Sequence, residues 1–258
     1  MTGPADLTWV HYLPAATTAV AAAFSFSLFR KYRVRPTPHI GWWAVGVATY
    51  GTGTLLETVI TLAGNTVVLT RLWYVAGAVL GAYPLAQGSL YLLSSRRFAN
   101  RATMVSLPFV VLTALLVLLS PIVADALEPH RPSGAVLAWG WVRLLTPFIN
   151  LYAAFFLIGG AVVSAWRFRK SANGRHRAAG NALIAFGALL PAIGGALART
   201  GLVEALYVAE FAGLVFIWGG ERTCAMRSGA RLATLAREGL VADEATERPM
   251  PPVKSDHR

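Results

Sequence analysis

The chain has 258 residues, of which 55% are hydrophobic and only 14% charged, with a mean hydropathy of +0.53. An average soluble domain carries roughly 25% charged residues, so the composition argues against a water-soluble globular protein. The formal net charge of +11 raises nucleic acid as a partner, and the placement of the cations argues against that too.

Seven stretches each run about 18 or more residues with few charges, the length needed to cross a hydrocarbon core of roughly 30 Å. They fall at Val10–Phe29, Ile40–Ala63, Leu72–Leu93, Met104–Val123, Leu137–Trp166, Asn181–Ala198 and Leu202–Gly220. In lipid a helix satisfies its own backbone hydrogen bonds, so these runs are expected as helices despite their many Val, Ile, Thr and aromatic residues. The expected fold class is an all-α membrane protein. It consists of a seven-transmembrane-helix bundle over residues 1–224 and a basic, partly disordered cytoplasmic tail over 225–258.

Met1–Thr8 contains Asp6 and no cation, so it lacks the basic segment of a cleavable signal peptide and the first span is read as retained. Cations then alternate by loop. Arg30, Lys31, Arg33 and Arg35 follow span one; Arg96, Arg97 and Arg101 follow span three. Arg167, Arg169, Lys170, Arg175 and Arg177 follow span five, and Arg222, Arg227, Arg231 and Arg237 follow span seven. The intervening loops are poor in cations and include Asp125 and Glu128. The positive-inside rule then puts the N-terminus outside and the C-terminus in the cytoplasm, across the plasma membrane. A nucleic-acid-binding face would not alternate with helix polarity, so the expected surroundings are the lipid bilayer and no nucleic acid.

In span two, Tyr50, Thr54, Glu57 and Thr61 are spaced four, three and four apart and form one polar stripe. Span three carries Gly77 and Gly81 beside Ala78 and Ala82, a small-residue face for close helix approach. It also carries Tyr83 and Gln87 together, nearer the cytoplasmic end. Span four has almost no polar side chain and is expected to face lipid broadly. Span five adds Arg143, Thr146 and Asn150 on one face, and span seven adds Tyr207 and Glu210. Pro84, Pro147 and Pro191 are expected as mid-span kinks.

Ionisable groups inside a span cost free energy and need a partner or a wet cavity. Glu57 and Glu210 each fall about seven residues from the outer end, roughly 10 Å deep at ~1.5 Å per residue. The expected ligand-binding set is Glu57, Glu210, Arg143, Asn150, Tyr74 and Tyr207, lining a polar cavity in the outer half. The competing reading is a buried ion pair of either Glu with Arg143, Arg71 or Arg199 that merely fixes helix order.

Tyr50-Gly51 is echoed by Phe186-Gly187, and Tyr74-Val75-Ala76 by Tyr207-Val208-Ala209. These echoes suggest either parallel three-helix repeats of the kind small carriers use or chance similarity of Ala/Val/Gly-rich helices. Beyond span seven, Ala230–Gly239 reads as a short basic amphipathic helix on the membrane surface. The Pro-, Glu- and Asp-containing remainder has a disordered composition. Cys224 is the single cysteine, so no intrachain disulfide forms; it is either a free thiol or a palmitoylation site.

No H-E-x-x-H, C-x-x-C or P-loop occurs, and Gly51-Thr52-Gly53 lacks the third glycine of a dinucleotide motif. His39, His130, His176 and His257 lie in loops or tail and His11 at the end of span one, without metal-ligand spacing. Span seven has no lysine for a retinal Schiff base, and no Ser or Cys nucleophile has an intramembrane His partner. The chain is therefore read as no enzyme, with no metal and no cofactor.

Two segments, Gly51-Thr52-Gly53-Thr54-Leu55-Leu56-Glu57 and Leu72-Trp73-Tyr74-Val75-Ala76-Gly77, continue to Pro84 and Tyr91-Leu92-Leu93. Here the sequence resembles the N-terminal seven-helix sensory modules found ahead of some bacterial histidine kinases. The resemblance implies a sensory or receptor-like role. No kinase or cyclase domain follows span seven, so a signal is expected to pass through a separate cytoplasmic or membrane partner. Three functions follow: a sensor or accessory module with a small ligand in the outer cavity, a small secondary transporter using Glu57 and Glu210, or a structural membrane subunit.

Overall fold

The computed structural model describes residues 8–170 and 174–246, with side chains through Ala225 apart from that of Arg199. The described residues form seven helices: α1 (Trp9–Val34), α2 (Pro38–Ala63), α3 (Val67–Leu93), α4 (Arg96–Leu119), α5 (Gly140–Phe168), α6 (Arg175–Arg199) and α7 (Val203–Thr246). Six of them contain a stretch long and apolar enough to cross a membrane; the exception is α2. It has 26 residues, but its Gly, Thr, Trp, Tyr and Glu57 make it less apolar. Those residues go inward: Thr54, Glu57 and Thr61 are all buried, and α2 packs against α1 and α3 and reaches α7 through side chains.

Side-chain contacts fix how the helices alternate. Lys31 at the end of α1 pairs with Glu221 on α7, and a single cavity is lined by His39 of α2, Leu93 of α3, Arg167 of α5, and Arg177 and Asn181 of α6. These residues define one end of the bundle, here called the basic end. The opposite end gathers His11, Thr61, Tyr207 and the connection between α4 and α5, so consecutive helices run up and down. The outward surface is apolar, with Met104 at 75%, Leu119 at 69% and Phe155 at 68% exposure, the inverse of a water-soluble bundle.

Two buried clusters divide the interior. Phe24, Leu28, Val47, Leu85, Leu157, Ile184 and Leu214 join α1, α2, α3, α5, α6 and α7. Val79, Tyr83, Val110, Val117, Val142 and Ile149 join α3, α4 and α5. Close helix approach depends on glycine: a Cβ at Gly53 of α2 meets Gly77 of α3 at 3.0 Å, and one at Gly187 of α6 meets the Gly213 carbonyl of α7 at 2.6 Å. The α6–α7 seam is thus a backbone-to-backbone contact, which small residues permit.

The three prolines act differently from one another. Before Pro84 the α3 helix widens into a π turn at Tyr74–Val79 and breaks over Leu80–Ala82, resuming at Tyr83. Proline has no N–H for the Leu80 carbonyl, and Thr49 Oγ1 donates to that oxygen instead at 3.3 Å. Pro147, expected as a mid-span kink, lies in the first turn of the α-helical segment Leu145–Ala153, where no N–H is required. Pro191 sits inside α6, whose helix continues through it. A second π turn, Ala154–Gly159, interrupts α5.

At the far end, α7 does not stop at Gly220 but continues as one helix to Thr246. The segment expected as a separate amphipathic helix, Ala230–Gly239, is part of it. Its Ala, Leu, Arg and Glu content favours helix and no proline intervenes. Residues 247–258, expected as disordered, lie outside the described residues.

Candidate functional site

The polar stripe of α2 meets α7 in the interior near the end opposite the basic one. Glu57 is 2% exposed, and its carboxyl group lies within hydrogen-bonding reach of the Glu210 carboxyl across the α2–α7 interface. Tyr50, about two turns away on α2, donates its hydroxyl to the Glu210 backbone carbonyl at 3.1 Å. Thr61 and Tyr207 bring their hydroxyls to 3.5 Å on the outward side. Thr54 bonds Thr18 of α1 at 3.0 Å, so α1 closes the third wall. Glu210 Oε2 is buried and has no hydrogen-bond partner among the described residues.

A roof covers this group. His130 contacts the Thr61 carbonyl at 3.2 Å through Nδ1, and Arg131 donates to the Ala198 carbonyl at 3.2 Å. Asn65 fastens the loop: its backbone N–H donates to the Pro129 carbonyl at 2.7 Å, and its side-chain amide to the carbonyls of Glu128 and Arg131. Thr70 donates in turn to Asn65 Oδ1 at 2.6 Å. His11 of α1 packs edge-on against Tyr207 with ring centroids 6.4 Å apart.

Of the six residues expected to share a cavity, the structure brings Glu57, Glu210 and Tyr207 together and places the other three elsewhere. Tyr74 is buried between α3 and α5, with its hydroxyl 3.1 Å from Thr146 Oγ1. Arg143 is exposed beside Gly134 and the Tyr74 ring, in a 3-10 turn that precedes the α-helical part of α5. Asn150 is exposed on the outward face of α5 between Phe148 and Leu151. Equal depth in a span gave no information about azimuth: of the polar stripe of α5 only Thr146 is buried, in line with Val142, Ile149 and Ala153, while Arg143 and Asn150 each lie one position off that inward face.

The competing ion-pair reading also meets a constraint. Arg71 donates to the Ser120 carbonyl at 2.6 Å, and the described ion pairs are Lys31–Glu221 and Arg131–Glu128. Neither Arg71 nor Arg143 pairs with Glu57 or Glu210. The Arg199 side chain lies outside the described residues.

Two further polar features were invisible or only half visible in the sequence. Gln87, fully buried, donates from Nε2 to Tyr83 Oη at 2.7 Å and to Ser106 Oγ at 2.9 Å. Thr103, Tyr91 and Asn100 extend this network along α4. The helix α4 begins at Arg96, eight residues before the apolar run, and those extra turns supply the polar partners.

At the basic end a cavity of about 800 Å³ opens between α2, α3, α5, α6 and α7. Apolar side chains, Phe155 and Phe156 among them, line its membrane-facing part; Arg167, Arg177, Asn181 and Glu221 line its polar part. No motif announced it, because its polar residues come from three helices and lie near loop boundaries.

No protein-family model, curated protein or solved structure matches this chain.

Proposed function

We propose that the protein is a seven-span sensory or accessory module of the plasma membrane that binds a small cationic species at the Glu57–Glu210 pair. The observation that carries this reading is the meeting of two carboxyl groups inside the bundle with no described Lys or Arg paired to either. Such a pair holds a single positive charge between its oxygens, whether a proton or an ammonium group. Among the described residues no three His, Cys, Asp or Glu side chains gather as a metal site, so an amine or a proton fits the donor set better than a tightly held metal.

The path from site to output supports a sensor. Glu210 sits on α7, and the same helix runs on to Thr246. The stretch 226–246 extends the helix by about 30 Å at ~1.5 Å per residue, a continuous path by which a shift at Glu210 reaches a partner. The likeness of α2 and α3 to kinase-linked sensory modules points the same way. By the positive-inside rule, the cation-rich loops at the basic end favour a cytoplasmic side for that end and for the extension of α7.

A second reading is favoured by one observation. A carrier needs access from both sides, and the 800 Å³ cavity at the basic end offers access from the side opposite the Glu57–Glu210 pair. Two assays separate the readings. For a sensor, ammonium and small primary amines raise the Tm of the purified protein, Glu57→Gln and Glu210→Gln abolish the shift, and proteoliposomes accumulate no labelled amine. Accumulation that depends on Glu57 and Glu210 assigns a carrier. Absence of any thermal shift, together with lower Tm in both variants, assigns a structural subunit.

A further inference from the structure

The geometry points to the basic-end cavity as a binding site for one anionic phospholipid with a hydroxylated headgroup, drawn from the adjoining leaflet. This inference does not rest on the reading of the Glu57–Glu210 pair, which lies toward the other end of the bundle.

Three observations converge. First, the cavity is continuous with the lipid-facing surface: Phe155 is 68% exposed and Val163 is 62% exposed, yet both line it. A volume of about 800 Å³ is that of a site for a large organic ligand, and an aromatic and aliphatic wall open to the bilayer suits the upper part of an acyl chain. Second, two guanidinium groups stand at the polar end. Arg167 and Arg177 line the cavity from α5 and α6, and neither pairs with a carboxylate among the described residues. Arg177 lies over the Phe168 ring at 5.5 Å, which holds the cation at the rim. Paired arginines offer the geometry that recognises phosphate.

Third, Glu221 supplies an acceptor that no group among the described residues uses. Its side chain is 10% exposed; Oε1 takes Lys31 at 2.5 Å, while Oε2 is buried, without a hydrogen-bond partner, in the wall of the cavity. Lys31 already balances the charge of Glu221, so the remaining oxygen calls for a neutral donor. A glycerol-type hydroxyl supplies one. The ligand that satisfies all three features has an apolar chain, a phosphate and a headgroup hydroxyl, as in phosphatidylglycerol. A zwitterionic choline lipid carries a cation that would sit among Arg167 and Arg177 and has no hydroxyl for Glu221.

The test uses the full chain in nanodiscs holding equal parts phosphatidylglycerol and phosphatidylcholine, followed by native mass spectrometry of released protein–lipid complexes. The expected result is one retained phosphatidylglycerol per chain, enriched about tenfold over phosphatidylcholine, about 1.4 kcal/mol. The Arg167→Gln/Arg177→Gln variant loses the enrichment, whereas Arg169→Gln, whose guanidinium instead stacks on Trp166, keeps it. Glu221→Met, which removes the acceptor, keeps the preference for anionic lipid but no longer favours phosphatidylglycerol over phosphatidylmethanol, which lacks the free hydroxyl. Because Glu221→Met also breaks the Lys31 pair, Val163→Trp provides a second arm: it fills the chain entrance from an exposed position and removes the bound lipid. Equal retention of both lipids, or enrichment unchanged in the double arginine variant, overturns the proposal. Stabilisation by glycerol 3-phosphate equal to that by the lipid also overturns it, assigning the site to a soluble anion.

Discussion

Lys31, in the last turn of α1, and Glu221, on α7, form a 2.5 Å ion pair that joins the first and last helices of the bundle at its basic end. The two are 190 residues apart in the chain, so the pair closes the ring of helices. Glu221 is nearly buried while Lys31 is 41% exposed, and this asymmetry predicts an asymmetric response. Lys31→Met strands a carboxylate in the wall of the cavity and is expected to cost about 1–2 kcal/mol, less than a fully buried pair because solvent screens the lysine. Adding Glu221→Gln recovers part of the loss. A double-mutant cycle on thermal unfolding in detergent measures the coupling; additive losses would show that the pair contributes nothing.

Gln87 ties α3 to α4 through Tyr83 and Ser106. Gln87→Ala removes these two hydrogen bonds and the one its Oε1 accepts from Thr103, and leaves a void, with an expected loss of about 2–3 kcal/mol. Ser106→Ala leaves the Gln87–Tyr83 bond in place, and about 1 kcal/mol is expected. Equilibrium unfolding of the two variants under one set of conditions gives the ordering, and a larger loss for Ser106→Ala would contradict it.

The glycines of α6 separate packing from propensity on one helix. At Gly187 a Cβ meets the Gly213 carbonyl at 2.6 Å, whereas at Gly195 nothing lies within 4 Å. Gly187→Ala is expected to lower Tm by forcing α6 from α7. Gly195→Ala is expected to raise stability by about 0.5–1 kcal/mol through helix propensity alone. Equal effects at both positions would mean the seam is looser than described.

The orientation inferred from the cations has a direct check. With Cys224 replaced by Ser, a cysteine at Ser133, in the connection before α5, is expected to react with an impermeant maleimide added to intact cells. One at Ser95, between α3 and α4, is expected to react only after the cells are opened. The reverse pattern inverts the topology and moves the lipid site to the other leaflet.

What the sequence made legible follows from what periodicity encodes. The apolar runs announced seven helices, and the spacing of Tyr50, Thr54, Glu57 and Thr61 announced an inward stripe that lies buried or half-buried. Helical spacing does not say which of two adjacent stripes faces inward, however. In α5 the inward positions are Val142, Thr146, Ile149 and Ala153, and Arg143 and Asn150 each lie one position beyond that stripe, so these two residues are exposed. The roof over Tyr207 depends on His130, Arg131 and Asn65. They lie in connections, where no repeat marks a side chain as inward. The basic-end cavity escaped notice for a related reason: Arg167 and Arg177 read as topology signals, and their meeting across α5 and α6 is a tertiary fact.

The central claim is that Glu57 and Glu210 act as one site. A cycle of Glu57→Gln, Glu210→Gln and the double variant, read as the thermal shift produced by ammonium or a small primary amine, tests it most directly. A joint site predicts that either single substitution abolishes the shift and that the double variant behaves like the singles. A shift that survives in both singles, and falls only additively in the double variant, would contradict it.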